Sequence, residues 1–327
     1  MKKFYKLIFF VIFSLIFLYF GLSFYLANTI LKMNHTCGDS SGFSPNTWKV
    51  LADHNMKSES RINLRNNFEE SKYYLDKWES VNFKSRGEDI NISGWLFNYH
   101  INQPVVIVVH GIFPNGKCKF ESNLIASLLI KNSINVLTID LRNYGESDIV
   151  SNYENLGLTS YRDVLGAYDY LRENGYSQNQ IGLIGLSLGA STVIIASKYE
   201  DSIKAIWSES SLAKFNMILT EEIGRYGFPN IFGFGVKIVG SLLSGVDPNN
   251  LNPVYYLNAN SNYFFTHGDD DERVYVNHFY YFKKYAESKN ISAEFWLIKN
   301  SGHIDGLIKN PELYGKKMKD FFKKNLK

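Results

Sequence analysis

The chain has 327 residues, of which 45% are hydrophobic and 16% aromatic, enough for a buried core in one large domain or two small ones. Its formal net charge of +3 is close to neutral for this length. The charge gives no reason to expect a nucleic-acid partner, which usually needs a concentrated basic face.

The N-terminal segment, residues 1–31, predicts a membrane anchor. The sequence carries no charge from Leu7 to Leu31. As a helix this run is about 37 Å long, enough to cross a hydrocarbon core of about 30 Å. The alternatives are a buried core helix and a cleaved signal peptide. A signal peptide has a shorter apolar region and a small-x-small cleavage site, and Tyr25 makes Tyr25-Leu26-Ala27 a poor one.

Charges that flank the anchor indicate its orientation. Lys2, Lys3 and Lys6 precede the apolar run, whereas Lys32 alone follows it closely. This bias favours a cytoplasmic N-terminus and a main domain on the other side of the membrane.

Residues 32–75 are polar and mixed in charge, which predicts a stalk, with room for one helix, between the anchor and a domain over residues 76–327. The stalk contains Cys37, and the domain contains Cys118. In a cytosolic protein these would be unrelated free thiols, whereas beyond a membrane they could form a disulfide. The sequence leaves that choice open.

Strand patterns begin after Trp78. "VNFKS" and "NISGWLFNY" alternate in polarity around Gly87, which predicts an opening pair of antiparallel strands. Continuous apolar runs are typical of strands that are covered on both faces in a parallel sheet. Six such runs follow: PVVIVVH (104–110), INVLTID (134–140), QIGLIG (180–185), IKAIWS (203–208), NYFFTHG (262–268) and AEFWLIK (293–299).

Segments with helical spacing separate these runs, among them FESNLIASLLIKN, TSYRDVLGAYDYLREN, LGASTVIIASKYE and VNHFYYFKKYAESKN. Alternation of strands and helices with short connections predicts a doubly wound, mostly parallel α/β sheet. Ligands bind such sheets beyond the carboxyl ends of the strands.

The pentapeptide "GLSLG" places Ser187 between a predicted strand and a helix that begins near Leu188. Gly185 and Gly189 leave room for a sharp turn that would expose the serine hydroxyl, and the helix N-terminus favours negative charge there. The alternative is a glycine-rich turn with an idle serine. A base, an acid and two oxyanion donors elsewhere in the chain would decide between them.

Five motifs occur in a recognisable order: "VVHGIF", "TIDLRNYGES", "GLSLG", "THGDDDERV" and "NSGH". Over about residues 80 to 327 they resemble the α/β-hydrolase family, and the N-terminal anchor makes the chain most like its membrane-anchored serine hydrolases of the esterase and lipase type. Asn143 stands where the family usually has glycine. Asn is the residue that next best tolerates a left-handed backbone.

The resemblance implies a base downstream of the serine, because the family order is serine, acid, histidine. Three histidines meet that condition. His278 falls within a helical segment and is expected on its surface, and His267 corresponds to a structural residue of the family. His303 follows the last strand in a loop whose glycine lets the chain turn toward Ser187. We therefore predict His303 as the general base.

The family spacing selects Asp271 as the acid, since it lies three residues after the glycine of "THGDDDERV" and three before Val274. Its role would be to hold the imidazole in the correct tautomer and to stabilise it once protonated. Asp269 and Asp270 are then solvated loop charges. Asp305 is a weaker rival that is expected to cap a helix.

Two backbone N–H groups are predicted to form the oxyanion hole, those of Leu188 and Ile112. His110 and Gly111 would shape the loop that carries Ile112. No cofactor is expected, and no His, Cys or carboxylate cluster has the spacing of metal ligands. The fourth-strand loop is expected to be held in place by Asp140, Arg142 and Tyr144.

Residues 209–260 are apolar and rich in glycine without an obvious strand, which predicts a small helical cap within the catalytic domain. A second membrane span is the alternative, although Lys237 and the glycines argue against it. The resemblance implies cleavage of carboxylic (thio)esters through an acyl-enzyme. The cap and the anchor favour lipid esters, or another small ester, as the substrate. A serine peptidase, an acyltransferase and a non-catalytic binding protein of the same fold stay open.

Overall fold

Eight strands form a single sheet in the computed structural model, which describes residues 1–35, 37, 44–48, 58–112 and 118–327. Phe113 of "VVHGIF" and residues 38–43 and 49–57 of the predicted stalk lie outside these ranges. The strands are β1 Glu79–Lys84, β2 Asn91–Phe97, β3 Val105–Val109, β4 Asn135–Ile139, β5 Ile181–Leu186, β6 Ala205–Glu209, β7 Asn262–Gly268 and β8 Ala293–Ile298.

The strand order is β1-β2-β4-β3-β5-β6-β7-β8, and only the β1–β2 and β2–β4 pairs are antiparallel. The remaining pairs are parallel. The prediction of an opening antiparallel pair followed by a parallel sheet is therefore confirmed, and each of the six apolar runs forms a strand.

The burial of β3 on both faces of the sheet explains why its sequence is apolar at every position. Val105, Ile107 and Val109 pack into the core on one face of the sheet. Val106 and Val108 pack into the core on the other face. Because helices cover both faces, successive side chains are buried although they point in opposite directions.

Ten α-helices surround or precede the sheet in the described part of the chain. They are α1 Lys2–Leu31, α2 Glu59–Asn66, α3 Asn123–Lys131, α4 Tyr161–Glu173, α5 Leu188–Tyr199, α6 Phe215–Arg225, α7 Gly233–Ser244, α8 Asn277–Lys289, α9 Asp305–Lys309 and α10 Pro311–Asn325.

Helix α1 is the one described helix that is long and apolar enough to cross a membrane. Its residues from Lys2 to Leu18 are exposed along their whole circumference. Its last turns pack against α7, and Leu26, Ala27 and Leu31 are buried there. The start of the helix is thus exposed, whereas its end is packed against α7.

Helices α6 and α7, joined by one short 3₁₀ turn, lie between β6 and β7. The predicted cap is therefore helical. At 12 residues, α7 is only about 18 Å long, which is too short to cross a hydrocarbon core of about 30 Å. The alternative of a second membrane span is not supported.

The residues that follow α1 contact the sheet domain. Lys32 forms an antiparallel bridge with Tyr153. Cys37 forms a disulfide with Cys118, which answers the question that the sequence left open. Among the described residues of the segment predicted as a stalk, Glu59–Asn66 form one α-helix, α2. The domain boundaries at residues 31 and 75 stay predictions.

Candidate active site

Ser187 lies on a sharp turn between β5 and α5. Its backbone has φ 54° and ψ −114°, a left-handed conformation that strains any residue with a side chain. A Cβ atom at Gly185 would lie 2.2 Å from the carbonyl oxygen of Gly189, and one at Gly189 would lie 2.3 Å from that of Val109. The two glycines therefore allow the strand, the turn and the helix to approach closely, with the serine raised above the sheet.

The structure brings together Ser187, His303 and Asp271, which follow different strands. The His303 Nε2 atom lies 3.0 Å from the Ser187 Oγ atom. On the other side of the ring, Nδ1 lies 2.8 Å from Asp271 Oδ2. With Nδ1–H donating to the carboxylate, the Nε2 atom is free to accept a hydrogen bond from the serine hydroxyl, which is the geometry that a general base needs.

Asp271 is buried and held by the backbone of its own loop. Its Oδ1 atom accepts the N–H groups of Arg273, at 2.8 Å, and Val274, at 2.9 Å. Burial alone would raise the pKa of Asp271, but the charge and hydrogen bond of His303, the nearby His267 and these N–H groups lower it to about 2. The carboxylate is therefore ionised at any pH at which the protein would work. Asp269 is half-buried and Asp270 exposed, as expected for loop charges.

The other two downstream histidines are buried. The His267 Nε2 atom lies 2.8 Å from the Val274 carbonyl oxygen and 3.3 Å from Asp271 Oδ2. Burial lowers its pKa, so the ring stays neutral and supports the acid loop. The expectation that His278 lies on a helix surface is wrong. Its Nδ1 atom accepts the Ala213 N–H at 2.7 Å, because α8 packs this side of its surface against the chain that leads into the cap.

Ile112 and Leu188, the two predicted oxyanion donors, line the same cavity as Ser187. The loop before Ile112 is fixed by His110. Its Nε2 atom accepts the Leu141 N–H at 3.1 Å, and its Nδ1 atom lies 2.7 Å from the Gly111 carbonyl oxygen. The roles of the five predicted site residues remain predictions.

Buried ion pairs hold the loop after β4. Lys119 donates to Asp140 at 2.6 Å, and Arg142 contacts Asp163 at 2.7 Å. Asn143 takes φ 71°, the left-handed backbone that its place in the motif requires. The loop is thus positioned by buried ion pairs. Of the described His, Cys, Asp and Glu side chains, one group is close enough to share a metal ion, Cys37, Cys118 and Asp140, and the disulfide occupies both of its sulfur atoms.

Helix α2 supplies two arginines that the sequence analysis missed. Arg61 and Arg65 both donate to Asp305, at 2.5 and 2.8 Å, and Arg65 also reaches the His303 carbonyl oxygen at 3.2 Å. Asp305 therefore receives two guanidinium groups rather than capping a helix. The available signal was the spacing of four residues, which places both arginines on one face of a helix.

Glu209, at the end of β6, is a second residue that sequence reasoning missed. Its carbonyl oxygen accepts the Ser187 N–H at 2.8 Å. Its buried side chain accepts the Tyr314 hydroxyl at 2.5 Å, and burial raises its pKa to about 8. A buried carboxyl group whose raised pKa favours its protonated form at neutral pH thus belongs to the residue that bonds the backbone of Ser187. No motif in the sequence distinguishes it from a surface carboxylate.

An apolar cavity opens at Ser187. Its walls come from α1, from the turn at the serine, from α6 and α7, and from the loop after β7. Polar side chains lie at few positions, among them Glu222 and Arg273, which pair with each other at 3.1 Å. The cavity therefore suits a substrate with an apolar portion next to the bond that is attacked. The lining includes Ala27, Leu31, Leu156, Leu212, Phe215, Ile218, Val236 and Val274.

Residues 121–327 match the family described as the prolyl oligopeptidase family. The chain belongs to this family. Its fold is that of solved α/β-hydrolases, as the sequence motifs predict. An esterase of Pyrococcus furiosus is 21% identical, with a TM-score of 0.64 over 80% of this chain and 96% of that one. The acylaminoacyl peptidase of Pyrococcus horikoshii is 22% identical, with a TM-score of 0.60 over 79% of this chain and 43% of that one.

A curated relative is a thiohydrolase of Aspergillus aculeatus, 30% identical over 122 residues. The matched region spans 37% of this chain and 38% of that relative. The chain is thus a member of the prolyl oligopeptidase family, with the α/β-hydrolase fold.

Proposed function

We propose that this chain is a membrane-anchored serine hydrolase that cleaves carboxylic esters or thioesters with an apolar acyl group. Ser187 is the nucleophile, His303 the general base and Asp271 the residue that orients and stabilises the imidazole. The observation that carries the proposal is the pair of contacts made by the His303 ring, 3.0 Å to the serine hydroxyl and 2.8 Å to the carboxylate.

The reaction follows from these contacts. The Ser187 Oγ atom bonds to the carbonyl carbon while His303 Nε2 takes its proton. The carbonyl oxygen becomes an oxyanion that the N–H groups of Leu188 and Ile112 stabilise. His303 then protonates the leaving alkoxide or thiolate, and the acyl group stays on Ser187. Water attacks the acyl carbon while the same nitrogen takes its proton. The bond between that carbon and Ser187 Oγ then breaks, His303 returns the proton to Oγ, and the acid leaves.

The lining of the cavity supports an acyl chain as the group that is bound. Burial of each methylene group is worth about 0.8 kcal/mol, so an apolar pocket gains affinity steadily with chain length. The buried carboxylate of Glu222 is already paired with Arg273 and with Arg225. Those charges therefore offer little to a charged substrate.

A serine peptidase is the second candidate, and membership of the prolyl oligopeptidase family favours it. The two activities differ in the leaving group, which is an alkoxide or thiolate for an ester and an amine for a peptide. An acyltransferase or a non-catalytic binding protein of this fold is a further alternative.

Labelling with a small fluorophosphonate probe tests the nucleophile, with the full chain in detergent. Wild type should label, Ser187→Ala should not, and Asp271→Asn should slow labelling by a factor on the order of 10³ to 10⁴. Asp269→Asn is the matched control, because it removes a neighbouring carboxylate that contacts Lys299 rather than His303. Equal labelling of the two asparagine variants would contradict the assignment of the acid.

A substrate panel decides the class of bond. It compares aryl esters from acetyl to palmitoyl, acyl thioesters, and N-acyl aminoacyl amides with the same acyl groups. We expect turnover of esters and thioesters that increases with acyl length. Hydrolysis of the amides alone would replace the ester proposal with the peptidase.

We also propose that α1 is retained as an anchor, with the catalytic domain on the extracytoplasmic side. Three lysines ahead of the apolar run and the disulfide between Cys37 and Cys118 support this orientation. A protease-protection assay on sealed membrane vesicles tests it. Digestion of the domain in right-side-out vesicles is expected, and full protection in these vesicles would reverse the assignment.

A further inference from the structure

We propose that the end of the anchor helix α1 is part of the substrate site. The last turns of α1 form one wall of the apolar cavity at Ser187, and the outer surface of the α1–α7 pair lies in the bilayer. The substrate is then a membrane lipid ester whose acyl chain enters between these helices. This inference rests on the proposed ester hydrolase activity and adds the source of its substrate and the role of α1.

The cavity at Ser187 extends to the anchor helix. Ala27, Ile30 and Leu31 of α1 line the cavity that contains Ser187. Ala27 and Leu31 are one helical turn apart, and both are buried. The small side chain of Ala27 leaves space that a larger residue would fill. A chain that extends from Ser187 into this cavity therefore contacts the anchor.

Close contacts fix α1 against α7. The Tyr19 hydroxyl donates to the Ile231 carbonyl oxygen at 2.8 Å and accepts the Gly235 N–H at 3.0 Å. A Cβ atom at Gly235 would lie 2.2 Å from Ser23 Oγ, so the glycine permits the two helices to touch. Cleavage of α1 as a signal peptide would remove this whole interface.

The end of α1 is also fixed to the catalytic domain. The Leu31 carbonyl oxygen accepts the Glu154 N–H at 2.9 Å, and Asn28 accepts the Tyr153 hydroxyl at 3.0 Å. The helix thus does not lead into a free tether at this point. Its position relative to Ser187 is set by hydrogen bonds on one side and by α7 on the other.

The outer surface of this helix pair is apolar and exposed. On and just before α7, Ile231 is 72% exposed, Phe234 63% and Leu242 80%. Phe20 and Phe24 of α1 are exposed as well, and they directly follow Tyr19 and Ser23, which contact Gly235 of α7. We call these five residues the outer apolar face. Phe20 and Phe24 follow the exposed residues 2–18 along α1, so one hydrocarbon phase can cover that stretch of the helix and the outer apolar face.

The depth of the bilayer agrees with this placement. A hydrocarbon core of about 30 Å takes about 20 helical residues, which, counted from Leu7, end near Leu26. Tyr19 and Ser23, which contact α7, therefore lie within the far leaflet. Ala27 and Leu31 lie at its interface with water, where the ester group of a membrane lipid is found. The cavity and the substrate are then at the same depth.

The acyl chain-length selectivity of the full protein in phospholipid nanodiscs tests whether α1 forms a wall of the cavity. Ala27→Phe should lower the ratio of kcat/KM for p-nitrophenyl palmitate to that for the butyrate by about tenfold or more, because it occupies the cavity. Leu31→Ala should shift the preference toward longer chains. Thr29→Phe is the matched control, since it adds the same ring to the exposed side of the same helix, and the ratio should stay within about twofold.

The contact with the bilayer has its own test. Phe234→Lys should lower hydrolysis of a monoacylglycerol in phosphatidylcholine vesicles relative to hydrolysis of dissolved p-nitrophenyl butyrate. Tyr280→Lys, at an exposed aromatic residue of α8, should leave that ratio unchanged. Equal ratios for these two variants would exclude the outer apolar face as the membrane contact.

Labelling by the small fluorophosphonate probe distinguishes failure of the proposed hydrolase activity from failure of the proposed role of α1. Failure of the wild type to label contradicts the hydrolase. If wild type labels, but Ala27→Phe has the chain-length ratio of Thr29→Phe, the anchor is not a wall of the site. If Ala27→Phe does not fold, as judged by loss of labelling, the test rests on Leu31→Ala. An unchanged chain-length preference of Leu31→Ala would then overturn the inference.

Discussion

Arg61 and Asp305 are 244 positions apart in the chain, yet they form a buried ion pair with an N–O distance of 2.5 Å. The pair joins helix α2, which precedes the sheet, to the helix that directly follows His303. The Arg61 guanidinium also packs on Gly302, where a Cβ atom would lie 2.0 Å from its Cζ atom. The loop that carries the proposed base is therefore shaped by a segment outside the sheet domain.

Arg61→Ala should lower kcat about tenfold with little change in KM, because a displaced His303 loop weakens the hydrogen bond to Ser187 without changing the cavity. Arg61→Lys should restore part of the rate. Removal of one partner of a buried ion pair also lowers stability. The loss should be limited to about 1 to 3 kcal/mol, because Arg65 still contacts Asp305. Kinetics on a short ester and thermal unfolding measure the two effects. Arg172→Ala, which removes an exposed arginine, is the control and should change neither.

Gly185→Ala should abolish fluorophosphonate labelling, because its Cβ atom would lie 2.2 Å from the Gly189 carbonyl oxygen and would open the turn at Ser187. Gly224→Ala is the same substitution at a helical position with nothing within 4 Å. It should stabilise the protein by roughly 0.5 to 1 kcal/mol and leave labelling intact. Normal labelling of the Gly185 variant would mean that the turn tolerates a side chain.

Glu209→Gln should change how stability depends on pH. Burial raises the pKa of Glu209 from an ordinary value of 4.5 to about 8. Between these values the folded state keeps a proton that the unfolded state has lost, so the contribution of this group to stability falls as pH rises. The loss amounts to a few kcal/mol. Glutamine keeps an acceptor for Tyr314 and has no proton to lose.

Thermal unfolding from pH 5 to pH 8.5 measures this effect as the difference between the two proteins. The glutamine variant should gain stability relative to wild type as pH rises and reach its greatest advantage near pH 8. Parallel pH profiles would contradict a raised pKa. The contributions of other titratable groups to the pH dependence cancel in this comparison, since both proteins contain them.

Reduction of the disulfide should lower stability by about 2 to 4 kcal/mol, because Cys37 and Cys118 close a loop with a sequence separation of 81. Cys118→Ser should have the same effect without reductant. The chain has no other cysteine, so maleimide labelling reports this bond alone. Protein from native membranes should react with maleimide only after reduction, and free thiols there would contradict an extracytoplasmic domain.

Much of the fold could be predicted from the sequence because local patterns determined it. The apolar runs that became β3 to β8 are continuous since both faces of the sheet are covered, and the closely spaced glycines around Ser187 fit only a tight turn. His303 and Asp271 could be named before any coordinates, since motif order and loop spacing select them among three histidines and a run of acidic residues. Their burial and their distances could not be read from the sequence.

The tertiary structure decided which distant segments meet. Arg61 and Arg65 form part of a polar helix in the sequence, and only packing brings them to Asp305. His278 fits an exposed helix position, yet α8 is covered on that side, so its ring is buried. Ala27 is one apolar residue among many in α1, and its place in the cavity of Ser187 depends on how α1 packs against α7. Periodicity determines which side of a helix is apolar, whereas long-range packing determines what that side contacts.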